Sequence, residues 1–141
     1  AASIQADDVN RGRRQRQFQE TVRPFRAVWL RGELNKNDFA ATQIVLDGLR
    51  RQDDKAGEIH YFQGELYRLR GEPGDGEQSI ISYRHAIQLG DVPPETHRAL
   101  GLVCWRSGLH AQARDAFEAY LAGCEDAPDR AIIESYIHQL Q

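Results

Sequence analysis

Two stretches of this chain carry the same spacing of small and large residues, and that spacing admits few folds. The first reads His60-x2-Gln63-Gly64-x2-Tyr67, then Gly71, then Ser79-x3-Tyr83. The second reads His97-x2-Leu100-Gly101-x2-Cys104, then Gly108, then Ala113-x3-Phe117. Offsets of three, four and seven keep residues on one face of a helix, and a glycine just past such a run ends it. A small residue inside the run is needed where two antiparallel helices approach most closely, so Gly101 is expected to face Ala113. Gly101→Leu should then be severely destabilising. From Gly64 to Ser79 is 15 positions, against 12 from Gly101 to Ala113. The excess of three matches Gly74-Asp75-Gly76, read as a turn-type insertion that leaves both faces in phase. A degenerate third copy lies upstream: Trp29-Leu30, Asn37 at the turn, then Thr42-x3-Leu46. Pro94 and Pro128 stand 34 residues apart, each placed to open a helix.

This skeleton resembles the tetratricopeptide (TPR) repeat, W-x2-L-G-x2-Y followed by A-x3-F, with His and Cys in the aromatic slots. The expected fold is all-α: a right-handed α-α superhelix of three helix hairpins plus a C-terminal capping helix. Residues 1–22 read as an arginine-rich helix or linker, 23–127 as three repeats and 128–141 as the cap. The first helix is expected from about Ile4 or Val9 to Val22, bent at Pro24. The hairpins are expected at Pro24–Lys36 with Asp38–Gln52, Gly57–Arg70 with Glu77–Leu89, and Pro94–Ser107 with His110–Cys124. In the cap, Pro128–Leu140, an apolar stripe of Ile133, Ile137 and Leu140 covers the last repeat while the other face meets water. Arg130 reads as exposed, so Arg130→Ala should change little.

Composition narrows the function classes. A chain of 141 residues, 40% hydrophobic and 28% charged, has the balance of a globular rather than a disordered protein. No run approaches the ~18 apolar residues that a membrane span needs, so none is expected. Methionine is absent, even at position 1, and the chain is therefore expected to be an excised fragment or a processed product. Arg11, Arg13, Arg14, Arg16, Arg23, Arg26 and Arg31 are opposed in their segment only by Glu20. Phe18, Val22, Phe25 and Trp29 repeat through it at helical spacing, so the arginines read as a solvated helix face. With no recognition-helix or RNA-binding motif beside them, a nucleic-acid partner is not expected.

The groups that could carry chemistry are scattered. Cys104 falls in a core slot and Cys124 near the end of the return helix, an offset of roughly 15 Å in a hairpin, too far for a disulfide. His60 and His97 fill large-residue slots, while His85, His110 and His138 share no metal-ligand spacing. No H-E-x-x-H, C-x-x-C, G-x-S-x-G or Walker loop is present, so no metal, cofactor or catalytic role is expected. Gly71-Glu72-Pro73-Gly74-Asp75-Gly76 is glycine-rich but lacks the Lys-Ser/Thr that grips phosphate, and it reads as a loop.

A wider likeness follows the chain in order: Tyr61-Phe62-x-Gly64-Glu65-x-Tyr67-Arg68-x-Arg70, Tyr83-x2-Ala86-Ile87, Arg98-x-Leu100-Gly101-Leu102-Val103, Tyr120-Leu121, Ala127-Pro128-Asp129 and Tyr136-Ile137. With Trp29-Leu30 and the 46–49 segment it spans about residues 24–140. It resembles the C-terminal TPR region of bacterial zinc metalloproteases of the HtpX-like, CAAX-prenyl-protease-like family. The resemblance implies a non-catalytic tail that positions the protease or captures its client, and a periplasmic location. The catalytic H-E-x-x-H of that family is absent here, so no catalytic residue carries over. The alternative is a stand-alone TPR scaffold or oligomerisation module not linked to a protease.

First helices of stacked repeats line the concave side of the array. On such helices Tyr61, Glu65 and Arg68 share a face in the second repeat, and Arg98, Leu102 and Trp105 in the third, with Arg31 and Asn35 extending it. This face is the expected protein-binding site, since aromatic and arginine side chains dominate binding hot spots. Its expected occupant is a protein or peptide client, and Arg68→Ala with Arg98→Ala should preserve folding. The carboxylate-clamp form of TPR, which needs paired Lys and Asn, is not matched.

Overall fold

The structure is a computed structural model that describes residues 26–141. The expected helix within residues 1–22, its bend at Pro24 and the arginines preceding Arg26 lie outside the described residues. Among the described residues all regular structure is helical: α1 (26–35), α2 (Phe39–Gln52), α3 (Gly57–Arg70), α4 (Asp75–Leu89), α5 (Glu95–Arg106), α6 (His110–Gly123) and α7 (Arg130–Gln139). No strand occurs among them.

The three turns that fold the helices into pairs share one device. Asn37, Gly71 and Gly108 all take left-handed backbone, with φ of 60°, 65° and 79°. Glycine carries no Cβ to clash there, and asparagine is among the few other residues that tolerate the region. Asp38 then opens α2, its Oδ1 accepting from the Ala41 N–H at 3.3 Å, which satisfies one of the donors a helix start leaves unpaired. Each helix from α2 onward packs on the next, and α3 also packs on α5. Between pairs the core is carried mainly by each return helix on the next element, α2 on α3, α4 on α5 and α6 on α7.

The residues at the closest approach differ from expectation. A Cβ added at Gly101 would lie 2.6 Å from the Phe117 ring, and one at Gly64 would lie 2.7 Å from the Tyr83 ring. Each glycine therefore receives an aromatic face, not the small residue one turn earlier; Ala113 and Ser79 are fully buried beside those contacts. Phe117 and Tyr83 are themselves fully buried. Burial of each such ring contributes roughly 2–3 kcal/mol. The extra three residues of the second hairpin are not a turn. Relative to the third pair they add one residue to the first helix, one to the loop and one to the start of the second helix, with Asp75 and Gly76 inside α4. Asp75 makes this possible. Its carboxylate takes a two-pronged ion pair from Arg70, 2.9 Å at both contacts, and accepts the Glu72 N–H at 3.0 Å.

Two polar residues in core slots, Gln63 and His60, find hydrogen-bond partners, whereas the buried Thr96 hydroxyl has none among the described residues. Gln63 stands where the third repeat has Leu100, and it exchanges two amide hydrogen bonds with Gln43 of α2, at 2.8 and 2.9 Å. His60, buried, places Nε2 2.7 Å from the Asp54 carbonyl oxygen and its ring centroid 4.1 Å from that of His85. A carbonyl only accepts, so the proton sits on Nε2. Cys104 is fully buried in the core and Cys124, half-buried, ends α6; both are free thiols. Arg130 is not the inert surface residue expected. It donates to the carbonyls of Leu121 at 3.0 Å and Cys124 at 3.3 Å, closing the carbonyl end of α6 where cations are favourable.

Candidate functional site: a cleft across the first helices

The face expected to bind protein is built from α1, α3 and α5. Arg31, Tyr61, Glu65, Arg68, Arg98 and Leu102 line one cavity of about 440 Å³, with Glu95 and Ala99 completing it. Residues separated by up to 71 positions thus meet in one place, where α1, α3 and α5 each contribute to the lining. Trp105, on the same face of α5, lies outside this cavity. It lines a neighbouring one of about 480 Å³ with Leu102, Arg106 and Tyr136. There its ring centroid is 4.9 Å from that of Tyr136 on α7, edge to face. Asn35 lines none of these cavities and is exposed.

Glu65 organises the cavity. It is 2% exposed, a position in which an ionised carboxylate is costly unless fully partnered. The partners are complete. Oε1 accepts from Tyr83 Oη at 2.5 Å and Arg68 Nε at 3.1 Å, while Oε2 accepts from Arg31 Nη1 at 2.8 Å and Arg68 Nη2 at 2.9 Å. Burial alone would push the Glu65 carboxyl up, but the bonds from Arg68, Tyr83 and Arg31 outweigh it and hold it below the usual carboxylate range. Burial likewise opposes the charge on Arg68, yet its bond to Glu65 keeps the guanidinium more firmly protonated than usual. Arg31 also donates to Tyr61 Oη at 2.8 Å, fixing the ring at the cavity wall.

Arg98 is held from the other side. Its Nη1 donates to Asp129 Oδ2 at 2.9 Å, and Asp129 Oδ1 accepts from Tyr120 Oη at 2.7 Å. This ties α5 to the start of α7. Burial pushes the Asp129 carboxyl up, and the bonds from Tyr120 and Arg98 reverse the shift.

The geometry separates the expected site residues by task. Glu65 and Tyr61 are buried and orient their neighbours, whereas Arg31, Arg98, Leu102 and Trp105 keep accessible surface. Arg68 does both. The expectation that Arg68→Ala with Arg98→Ala would leave folding intact is corrected: one change strips a buried carboxylate of two bonds and the other unpins α7. Sequence reasoning missed Asp129 and Tyr136, which complete the face from the capping helix. The Tyr120 and Asp129 pair, nine residues apart across the α6–α7 turn, was the available signal.

Among the described residues no group of three or more His, Cys, Asp or Glu side chains could hold a metal ion. No helix among them is long and apolar enough to cross a membrane. No family model, curated protein or solved structure matches the chain.

Proposed function

We propose that the three hairpins and α7 form a right-handed TPR-like superhelix whose first-helix face binds a protein segment. In this reading the chain is a non-catalytic interaction module, the C-terminal client-binding or positioning domain of a bacterial zinc metalloprotease working in the periplasm. The left-handed residue recurring at 37, 71 and 108 supports the repeat, as does the packing of α3 on α5. The observation that carries the binding function is the single cavity lined from three successive hairpins. The arginine and tyrosine groups on it have the chemistry of an interface anchor.

Selection from a random peptide library against the full chain tests the reading. Leu102→Glu serves as the control, because Leu102 is half-buried at the junction of two cavities. Peptides that bind the wild type and lose most of their affinity for a Leu102→Glu protein of unchanged melting temperature support it. Peptides indifferent to Leu102→Glu contradict it. Val28, Trp29 and Ile44, exposed at 73%, 44% and 71% on the first hairpin, favour one second reading, a self-associating scaffold. Sedimentation at several concentrations separates the two.

A further inference from the structure

The two ends of the helix series differ. At the C-terminal end α7 packs on α6, burying Ile133 and setting Ile137 and Leu140 against the core. On the first hairpin, large apolar side chains stay in the open: Val28 and Trp29 of α1 are 73% and 44% exposed, and Ile44 of α2 is 71% exposed. Helical spacing places them on the outer side of that hairpin. Leu30 and Leu34 are buried on α1, as Thr42 and Leu46 are on α2. At about 100° per residue, Val28, Trp29 and Gly32 stand opposite the first pair and Ile44 opposite the second. A Cβ added at Gly32 meets nothing within 4 Å, so this side of α1 has room for another element to come down on it.

The chain supplies an occupant of its own. The 25 residues that precede Arg26 join α1 two positions before Val28, so they are tethered at the edge of this patch. Within them Phe18 and Val22 are spaced i, i+4, the spacing of one helix face, while Arg13, Arg16 and Glu20 fall on the opposite face. Phe25 stands three, four and seven positions before Val28, Trp29 and Gly32, so it extends the outer side of α1. Between the two groups lies Arg23-Pro24. The residue before a proline is steered out of the helical region, and proline itself is favoured in the first turn of a helix. A reversal therefore falls at this dipeptide. As a helix, residues 9–22 would rise about 21 Å, against about 15 Å for the ten residues of α1, long enough to lie antiparallel along it.

We propose that the outer side of the first hairpin is a docking surface for the chain's own residues 9–22, which double back at Pro24 and lay Phe18 and Val22 over Val28, Trp29 and Ile44. The segment closes the N-terminal end of the series as α7 closes the other, with its apolar side down and its arginines in water. An array of stacked helices needs such a polar-faced cap at each end. Arg31, which lines the cavity shared with α3 and α5, projects from another side of α1. The docking is thus independent of the peptide-binding reading.

A double-mutant cycle on the full 141-residue chain tests it, with Ile44→Ser, Phe18→Ser and the two together, followed by thermal melts and by sedimentation. Serine is chosen because its helix propensity is close to that of isoleucine and phenylalanine, so that lost packing dominates the result. On a bare surface Ile44→Ser should leave the melting temperature within about 1–2 °C of wild type. Under the proposed segment it should lower it by about 5 °C. Phe18→Ser should do the same, and the double variant should fall little further than either one, because the shared contact can be lost only once. Should Phe18→Ser fail to fold, Val22→Ala carries the cycle. Shifts that simply add overturn the proposal, and so does an Ile44→Ser protein that melts with the wild type. The chain should sediment as a monomer with the coupling unchanged by concentration. A coupling that grows with concentration alongside a dimer overturns the proposal in favour of a second copy on the same patch.

Discussion

Gly101→Ala and Gly32→Ala are the same chemical change in two helices, and the structure assigns them opposite signs. Alanine is favoured over glycine inside a helix by about 1 kcal/mol, so each substitution carries that gain. At Gly32 an added Cβ meets nothing within 4 Å, and the gain should survive. At Gly101 the same atom lands 2.6 Å from Cε1 and 2.7 Å from Cδ1 of Phe117. That ring has little room to retreat, being fully buried with its centroid 6.2 Å from Trp105 and 5.7 Å from Tyr136. Overpacking of this kind costs about 1–3 kcal/mol, which exceeds the helical gain over most of its range. Gly101→Leu adds three more carbons to the same collision and should lose roughly 3 kcal/mol or more. At about 3 °C per kcal/mol for a chain of this size, Gly32→Ala should melt about 3 °C above wild type and Gly101→Leu about 9 °C below it. Thermal melts followed at 222 nm and urea titrations give the two values independently. Phe117→Leu in the Gly101→Ala background should recover part of the loss as a favourable coupling. A Gly101→Ala protein stabilised as much as Gly32→Ala would refute the packing of α5 on α6.

Three further outcomes follow from the polar contacts. Glu65→Gln leaves Arg31 and Arg68 facing a neutral amide in a site with 3% side-chain exposure, and it should cost about 3 kcal/mol in urea denaturation, the range for breaking a buried pair. Burial holds the His60 imidazole below its ordinary value of 6.5, helped by His85 and Arg50 and opposed by the Asp54 contact. A depressed value stabilises the fold above the unfolded value and loses that contribution as pH falls below it; the melting temperature should therefore decline as pH drops from about 6.5, less steeply in His60→Gln. The residual slope belongs partly to His97, which burial also lowers. Arg130→Ala removes donors from the last carbonyls of α6 and should cost about 1 kcal/mol by thermal melt.

Local signals in the sequence carried most of the helix boundaries. Gly57–Arg70 coincides with α3, because Gly57 at its start and Gly71 after its end are both backbone punctuation. A Cβ at Gly57 would lie 2.1 Å from the Gly90 carbonyl oxygen, so this glycine also marks where α3 meets the end of α4. The demand for a small residue at Gly101 was equally legible. Its partner was not, since Ala113 and Phe117 lie one turn apart on one stripe and periodicity cannot rank them. Gly74-Asp75-Gly76 read as a turn because its local propensity is that of a turn; the Arg70–Asp75 ion pair overrides it.

The site divides along the same line. Which residues share the α3 and α5 faces follows from spacing, and Arg31 was placed with them correctly. That Glu65 is buried could not be read locally. Its burial depends on Arg31, 34 residues away, and on Tyr83, 18 residues away. Likewise Trp105 is drawn toward Tyr136 by the capping helix, a contact no single-helix pattern contains.

The central claim is that α1, α3 and α5 present one binding surface, and amide chemical-shift mapping of the full chain with a library-selected peptide tests it most directly. The account predicts that the largest shifts fall on Arg31, Arg98, Leu102 and the Trp105 indole N–H. Shifts confined to the opposite side of the stack, around the cavity lined by Arg84, Gln112 and Asp115, would contradict it.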